Sequence, residues 1–330
     1  MRVDFGGGWT DVPPYTLEQG GCVCNLAIAC YARATLRSLP SGVELYADGM
    51  EHHAENAREL PAGGDASLGA AALRRARLDR VRLELVSEFP RGAGLGGSSA
   101  AGVALAAATA AWRGESVSRS ELAERSREVE VEELGIAGGF QDHYAAAYGG
   151  ALALTFRAKT RAEQIPLTDS LARALERQCL IAYTGESRIS GATITAVLDA
   201  YRDRVPRVVA ALARMRTLAG QMIDALQRER VDELGRLVGE HWEQQRALHE
   251  KITTPSIDRL LETARVHGAL GGKALGASGG GSVLIIAPPD RVNDVRTHIS
   301  PLAQLLPFVI DTEGAHVTVR EGVETTAWHS

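Results

Sequence analysis

The sequence predicts an α+β chain of two domains, on three observations. Its 330 residues are more than one small core uses and suit two domains of ordinary size. Both halves carry short apolar-rich segments of strand character, and both also carry longer segments with helical periodicity. The strands in each half are expected to pair as antiparallel sheets. The division falls near residue 165, giving units of 1–165 and 166–330.

Taken in order, GGCVCNLAIACYARATLRS reads as a long strand over 22–37, with the small apolar Cys22 and Cys24 packing inward. Further strands are expected over 43–47 and 80–87. A glycine-dense loop, PRGAGLGGSSAA at 90–101, leads into an alanine-rich helix ending near Trp112. A second helix opens at Ser118, which stands three residues before Glu121 in capping-box spacing. EVEVEELGIAGGFQDHYAAAYGG at 128–150 places Glu130 on a helix and Asp142 beyond a Gly138-Gly139 bend. Past the division, QCLIAYTG reads as a strand and 206–265 as mostly helical. GGSVLIIAP and HVTVREGVE read as strands flanking one more helix. There is no internal repeat.

Composition narrows the function classes. At 45% hydrophobic and 23% charged the chain is expected to be globular, and a net charge of −5 without a basic stripe argues against nucleic acid as partner. A small molecule fits better. No apolar run is long enough for a membrane span, and the N-terminus lacks the plan of a signal peptide, so a cytoplasmic location is expected. Cys22, Cys24, Cys30 and Cys179 have neither zinc-site spacing nor an evident pairing pattern.

The glycine loop admits two familiar readings, and both fail. GAGLGG satisfies G-x-G-x-x-G, but ELVSEFPR is a poor Rossmann strand and no acidic residue ends a following strand about 20 residues on. An oxidoreductase is therefore a distant alternative. A Walker loop would need a lysine where Ser98 and Ser99 stand. What both motifs share survives: backbone N–H groups freed by glycine can close on an anion at a helix N-terminus. A triphosphate suits that cradle. The two serines either cap the helix or present a hydroxyl to Mg²⁺.

Two more glycine-dense segments, RVDFGGGWTDVPPY at 2–15 and GGKALGASGGGSVLI at 271–285, are too many to be turns alone, and Glu130 and Asp142 supply two acids for a metal and phosphate site. In order and rough spacing, RVDFGGGWTD, PRGAGLGGSSAAG and KALGASGGGSVL resemble the three motifs of the GHMP kinase superfamily. GGGWTDVPPY, GGFQDHYAAAYGG and YTGESR look most like its sugar-1-kinase branch, which holds D-glycero-D-manno-heptose 7-phosphate kinases and L-fucokinases. The resemblance implies a ribosomal protein S5 domain 2-like N-terminal domain, a ferredoxin-like C-terminal domain and a site in the cleft between them. It also implies a further stretch of chain ahead of Arg2, hence a start upstream of Met1.

Carried over by position, the resemblance makes Asp142 the catalytic aspartate and Arg2 its partner. Gly92, Gly94, Leu95, Gly96, Gly97, Ser98 and Ser99 would wrap the ATP phosphates, and Ser98 and Glu130 would hold Mg²⁺, with Ser99 the neighbouring candidate. Gly8, Trp9, Thr10, Asp11, Arg188, Lys273, Gly279 and Gly280 would contact the substrate. Trp9 is read either as a sugar platform or as core, and Arg188 either as a sugar-phosphate donor or as a surface salt bridge. His241 and His249 read as helix-surface histidines, and His143 as packing beside Asp142. The expected partners are ATP, Mg²⁺ and a sugar or sugar phosphate, with a homodimer left open. The expected reaction phosphorylates the anomeric hydroxyl, of heptose 7-phosphate before fucose. A catalytically silent sugar sensor is the rival from another class.

Overall fold

The computed structural model describes residues 1–64, 66–88, 92–136, 138–186 and 191–320. The chain begins β1 (Arg2–Gly6), α1 (Tyr15–Gln19), β2 (Gly21–Ala27), β3 (Ala32–Ser38), β4 (Val43–Ala47), β5 (Met50–Ala54) and α2 (Ser67–Ala76). It continues with β6 (Val81–Ser87), α3 (Gly97–Trp112), α4 (Arg119–Glu128), α5 (Gln141–Tyr148), β7 (Ala151–Phe156) and β8 (Thr160–Ile165). Then come α6 (Asp169–Gln178), β9 (Cys179–Tyr183), α7 (Gly191–Arg202), α8 (Pro206–Gln227), α9 (Val231–Arg246) and α10 (Pro255–Val266). Last are β10 (Gly271–Ala274), β11 (Ser282–Ile286), α11 (Val292–Ile299) and β12 (Gln304–Leu306).

Among the described residues the strands form three four-stranded sheets, ordered β1-β2-β7-β8, β3-β6-β4-β5 and β10-β11-β9-β12. The first and third are antiparallel throughout, and in the second β4 lies parallel to β6. Counted in its own chain order, the third sheet runs 2-3-1-4, the order of a split β-α-β-β-α-β unit, with α7 to α9 inserted before α10. That is the ferredoxin-like arrangement expected.

Two expected strands differ. The stretch over 22–37 is two strands in two sheets: β2 ends at Ala27, and the carbonyls of Ile28 and Cys30 accept the Met1 amine. Ile28 also bridges Ile310, so the chain leaves the first sheet there and re-enters as β3 in the second. Residues 316–320, the described part of HVTVREGVE, form no strand, and the fourth strand of the third sheet is Gln304–Leu306. An alternating pattern specifies extended backbone but not the strand it will pair with.

The core that positions the site joins the first and third sheets. Val3, Phe5 and Leu26 pack in one buried cluster with Leu218 and Met222 of α8 and with Ile181, Leu284 and Ile286. Each such side chain contributes about 1.5–3 kcal/mol on burial. That cluster ties β1 to the third sheet, where β10 pairs with β11. A separate cluster seats α3, α4 and α5 over β2 and β7 through Val103, Leu122, Tyr144, Val23 and Leu152. Gly102 allows the closest approach of α3 to α4, since a Cβ there would run into Ser126 Oγ. No helix among the described residues is long and apolar enough to cross a membrane.

Candidate active site

Arg2 is the hinge of the site. It is 3% exposed on β1, its backbone N–H donates to Leu95 O at 3.0 Å, and its guanidinium donates to Gly94 O at 2.6 Å. Nε and a terminal nitrogen reach the two Asp142 carboxylate oxygens at 2.6 and 2.9 Å, the bidentate fork that arginine geometry favours. The glycine loop thus meets Asp142 through one cation. Direct approach does the same: a Cβ on Gly96 would stand 3.2 Å from the Asp142 carboxyl, and Gly96 has φ +73°. α3 opens immediately after it with no side-chain cap at its N-cap and no acid within its own first turn.

Asp142 is aimed by Asp11. The Asp11 Oδ2 accepts the backbone N–H groups of Phe140 and Gln141 at 2.9 and 3.0 Å, capping the start of α5, whose second residue is Asp142. Burial, with the charges of Asp142 and Asp4 adding to it against those hydrogen bonds, pushes the Asp11 carboxyl from 3.8 up to about 6. A group raised on folding supports the fold in its protonated form, so this support is lost as pH rises through about 6. Asparagine keeps an acceptor for both N–H groups and removes the ionisation. Asp11→Asn is therefore expected to raise stability at pH 8 by about 1–3 kcal/mol, a gain that vanishes by about pH 4. Denaturant midpoints measured across pH check this, and a destabilisation equal at every pH would contradict it.

Glu130 sits on a π-type turn, Val129–Glu133, that continues α4, a distortion frequent at functional sites. Ser98 Oγ donates to its Oε1 at 2.6 Å and Ser99 Oγ to Oε2 at 3.4 Å, while His143 Nε2 lies 3.0 Å from Oε2. His143 Nδ1 is 2.8 Å from Ser126 Oγ, so the ring is fixed from both sides. Burial alone would raise the Glu130 carboxyl, but the His143 contact and the two serine hydroxyls hold it below the ordinary value. A carboxylate and a hydroxyl at the mouth of the loop are a hard-oxygen donor set that fits Mg²⁺.

Beneath Gly8 lies a second buried ion pair. Lys273 Nζ donates to Asp4 Oδ2 at 2.8 Å, with the lysine side chain 0% and the aspartate 4% exposed. Lys273 holds the Asp4 carboxyl below its usual range against the opposing effect of burial. His241, also fully buried, accepts the Gly7 N–H on Nε2 at 2.9 Å, and burial with Lys273 alongside keeps its pKa well below the ordinary value. A Cβ on Gly8 would collide with Asp4 Oδ2 and meet Gln141 Nε2 at 2.8 Å. Asn25, opposite Asp4 on β2, donates to Gln141 O at 3.4 Å. Asp4 Oδ1, Asp11 Oδ1, Asn25 Oδ1 and Gln141 Oε1 are buried without a partner among the described residues. Asp4 pairs with Asn25 across β1 and β2, and Asn25 and Asp11 both bond the Gln141 backbone, so these residues are neighbours at the start of α5.

Several sequence expectations are corrected. Lys273, expected to contact the substrate, lies in β10 with its side chain fully buried against Asp4. Thr10 is 0% exposed and its hydroxyl holds Gly7 O at 2.6 Å and Cys22 O at 3.1 Å, so it fastens the first loop. Of the two readings of Trp9, the core one matches the structure, where it packs in the cluster that contains Tyr15 and Trp242. Gly279 N–H donates to Ile252 O, and a Cβ on Gly280 would meet Glu186 O at 2.7 Å, so both face the protein. His241 is buried, not on a helix surface. Arg188 lies outside the described residues. Asp4, Asn25, Gln141 and the bridging role of His143 escape sequence reasoning, because the contacts that reveal them join distant segments.

The matched family models are GHMP kinases N terminal domain, over residues 66–150, and GHMP kinases C terminal, over 222–300. The fold with its glycine loop, paired Arg2 and Asp142 and oxygen-donor cluster defines a phosphotransferase with an alcohol group as acceptor. The chain belongs to the GHMP kinases. It is 27% identical to the D-glycero-alpha-D-manno-heptose 7-phosphate kinase of Campylobacter jejuni, over 88% of each chain. It is 27% identical to the bifunctional fucokinase/GDP-fucose pyrophosphorylase of Arabidopsis thaliana, over 92% of this chain but only 31% of that protein's length. Among solved structures, a D-glycero-D-manno-heptose 1-phosphate kinase from Bacteroides thetaiotaomicron superposes with TM-score 0.78 at 24% identity, over 97% of this chain and 98% of that one.

Proposed function

We propose that the protein is an ATP-dependent kinase acting on the anomeric hydroxyl of D-glycero-D-manno-heptose 7-phosphate to give the 1,7-bisphosphate. The observation that supports a sugar reading is the gathering of Asp11, Asn25 and Asp4 around the Gln141–Asp142 start of α5, a set of oxygen acceptors that matches an acceptor rich in O–H donors. The heptose phosphate is preferred to fucose because the relative bearing that name matches this chain over 88% of both lengths.

In this reading the N–H groups of Gly92 to Gly97, with Leu95 and Ser99 beside them, and the start of α3 receive the ATP phosphates, and Ser98 and Glu130 hold Mg²⁺. When bound, the ion neutralises charge on the phosphate oxygens. Asp142, fixed by Arg2 and by the capped start of α5, accepts the proton of the anomeric hydroxyl while its oxygen attacks the γ-phosphorus. The new P–O bond forms as the bond to ADP breaks, and the proton leaves on Asp142. Arg2 keeps its charge next to the transferred group. Asp11 is assigned to the sugar hydroxyls. Arg188 is assigned to the distal phosphate.

The test is ATP turnover against heptose 7-phosphate, fucose, galactose and mevalonate, with Arg188→Ala in parallel. Turnover is expected with the heptose phosphate, and Arg188→Ala is expected to raise its KM by about 10–100-fold, the worth of one charge-assisted hydrogen bond, with little change for ATP. Efficient use of fucose with the heptose phosphate ignored would sink the acceptor assignment.

A further inference from the structure

His241 is 0% exposed on α9, two turns beyond Leu234 and one beyond Val238, which pack in the cluster that holds Val3 and Phe5 of β1. A Cβ on Gly6 would stand 3.1 Å from His241 Cδ2, so the ring lies against the end of β1, and Nε2 accepts the N–H of Gly7 at 2.9 Å. Gly7 has φ +95°, and its carbonyl accepts the Thr10 N–H at 3.0 Å and the Thr10 hydroxyl at 2.6 Å. Gly7 is thus held at both its polar groups. Thr10 fastens the loop to itself and to Cys22 of β2, and His241 fastens it to the second half of the chain. Asp11 follows directly and caps α5 just ahead of Asp142.

We propose that His241 is a positioning residue for phosphoryl transfer, setting the first glycine loop from the second half of the chain and, through Asp11, the aim of Asp142. The proposal rests on the kinase reading but not on the identity of the sugar. An Nε2 that accepts an N–H carries no proton, so the neutral ring holds its proton on Nδ1. Nδ1 is buried without a partner among the described residues. A packing role needs neither nitrogen, since an apolar side chain fills the same space without leaving a buried N–H unpaired. His241 touches no reacting atom. Loss of its acceptor frees the Gly7 N–H, and the loop then carries Asp11 and the start of α5 off their places.

His241→Leu and His241→Gln are compared with the parent, using whichever sugar of the panel the parent phosphorylates. The glutamine Oε1 stands as many bonds from Cβ as Nε2 does and offers Gly7 an acceptor, which leucine lacks. His241→Leu is expected to lower kcat by roughly 10–100-fold, the cost of a misplacement of about 1 Å. Affinity for a non-hydrolysable ATP analogue and the denaturant midpoint are expected to stay near the parent's, and His241→Gln to restore most of the rate. In parent protein carrying ¹⁵N-histidine, the ring resonances missing from His241→Gln are expected to show Nδ1 protonated and Nε2 bare. Parental kcat in His241→Leu, equal losses in the two variants, or a ring protonated on Nε2 overturns the role. A leucine variant too unstable to assay leaves the glutamine rate and the ring tautomer to decide. A parent that phosphorylates no sugar of the panel counts against the acceptor reading, while the tautomer still decides the Gly7 contact.

Discussion

Asp142→Asn is expected to slow phosphoryl transfer by roughly 10²–10⁴ while leaving the fold and nucleotide affinity in place, the range a positioned general base supplies. Asparagine retains one oxygen for Arg2, which holds Asp142 at 2.6 Å and 2.9 Å, but offers it an amide where the second oxygen stood and cannot take a proton. Arg2 stays anchored by Gly94 O, so the glycine loop keeps its place. The readouts are kcat at saturating ATP and acceptor, calorimetric titration with a non-hydrolysable ATP analogue, and the denaturant midpoint. Turnover near that of the parent with binding intact would remove Asp142 from the chemistry and leave positioning by the loop as the whole of catalysis.

Lys273→Ala is expected to cost about 3–5 kcal/mol of stability, because removing one partner of a buried pair strands the other charge. Asp4 is 3% exposed, its Oδ1 has no partner among the described residues, and Oδ2 would lose its contact with the lysine cation. Lys273→Met together with Asp4→Asn removes both charges and is expected to recover most of the loss. Urea midpoints at constant m decide this. If the single variant is near neutral, or the double variant no better than the single, the pair is not what holds the floor of the site. A single variant that fails to fold, beside a double variant that folds, supports the pair as firmly as the expected midpoints do.

What the sequence reveals follows the range of the physics involved. Arg2, Asp142, Ser98 and Glu130 are singled out in the sequence by their places in motifs that resemble those of the GHMP kinases, and the structure brings Arg2 to Asp142 and Ser98 to Glu130. Thr10, Trp9 and Lys273 are legible as motif members but not in their direction: a motif names a residue without saying whether its side chain faces the cleft or the core. Asp4 meets Lys273 across 269 positions and Gly7 meets His241 across 234, and no local spacing encodes such pairs. The break of the 22–37 stretch into β2 and β3 is hidden for the same reason, since it is decided by Met1 and Ile310 from opposite ends of the chain. The helix opening at Ser118 is legible because a capping box is complete within four residues, and both of its hydrogen bonds are present.

The third glycine segment meets the glycine loop ahead of α3 through close main-chain approaches, beside the buried side chains of Leu95 and Leu275. A Cβ on Gly276 would stand 3.2 Å from the Gly94 Cα, one on Gly94 would stand 2.8 Å from Leu275 O, and Ser282 N–H donates to Ala93 O at 2.9 Å. Gly94 and Gly276 both have positive φ, +75° and +69°, so neither position tolerates drift. At Gly94 and Gly276 themselves there is no side chain, so the approach there is set by backbone geometry. The spacing between the two segments is therefore fixed by covalent backbone dimensions, and a methyl group added at either glycine would act as a wedge that displaces the start of α3.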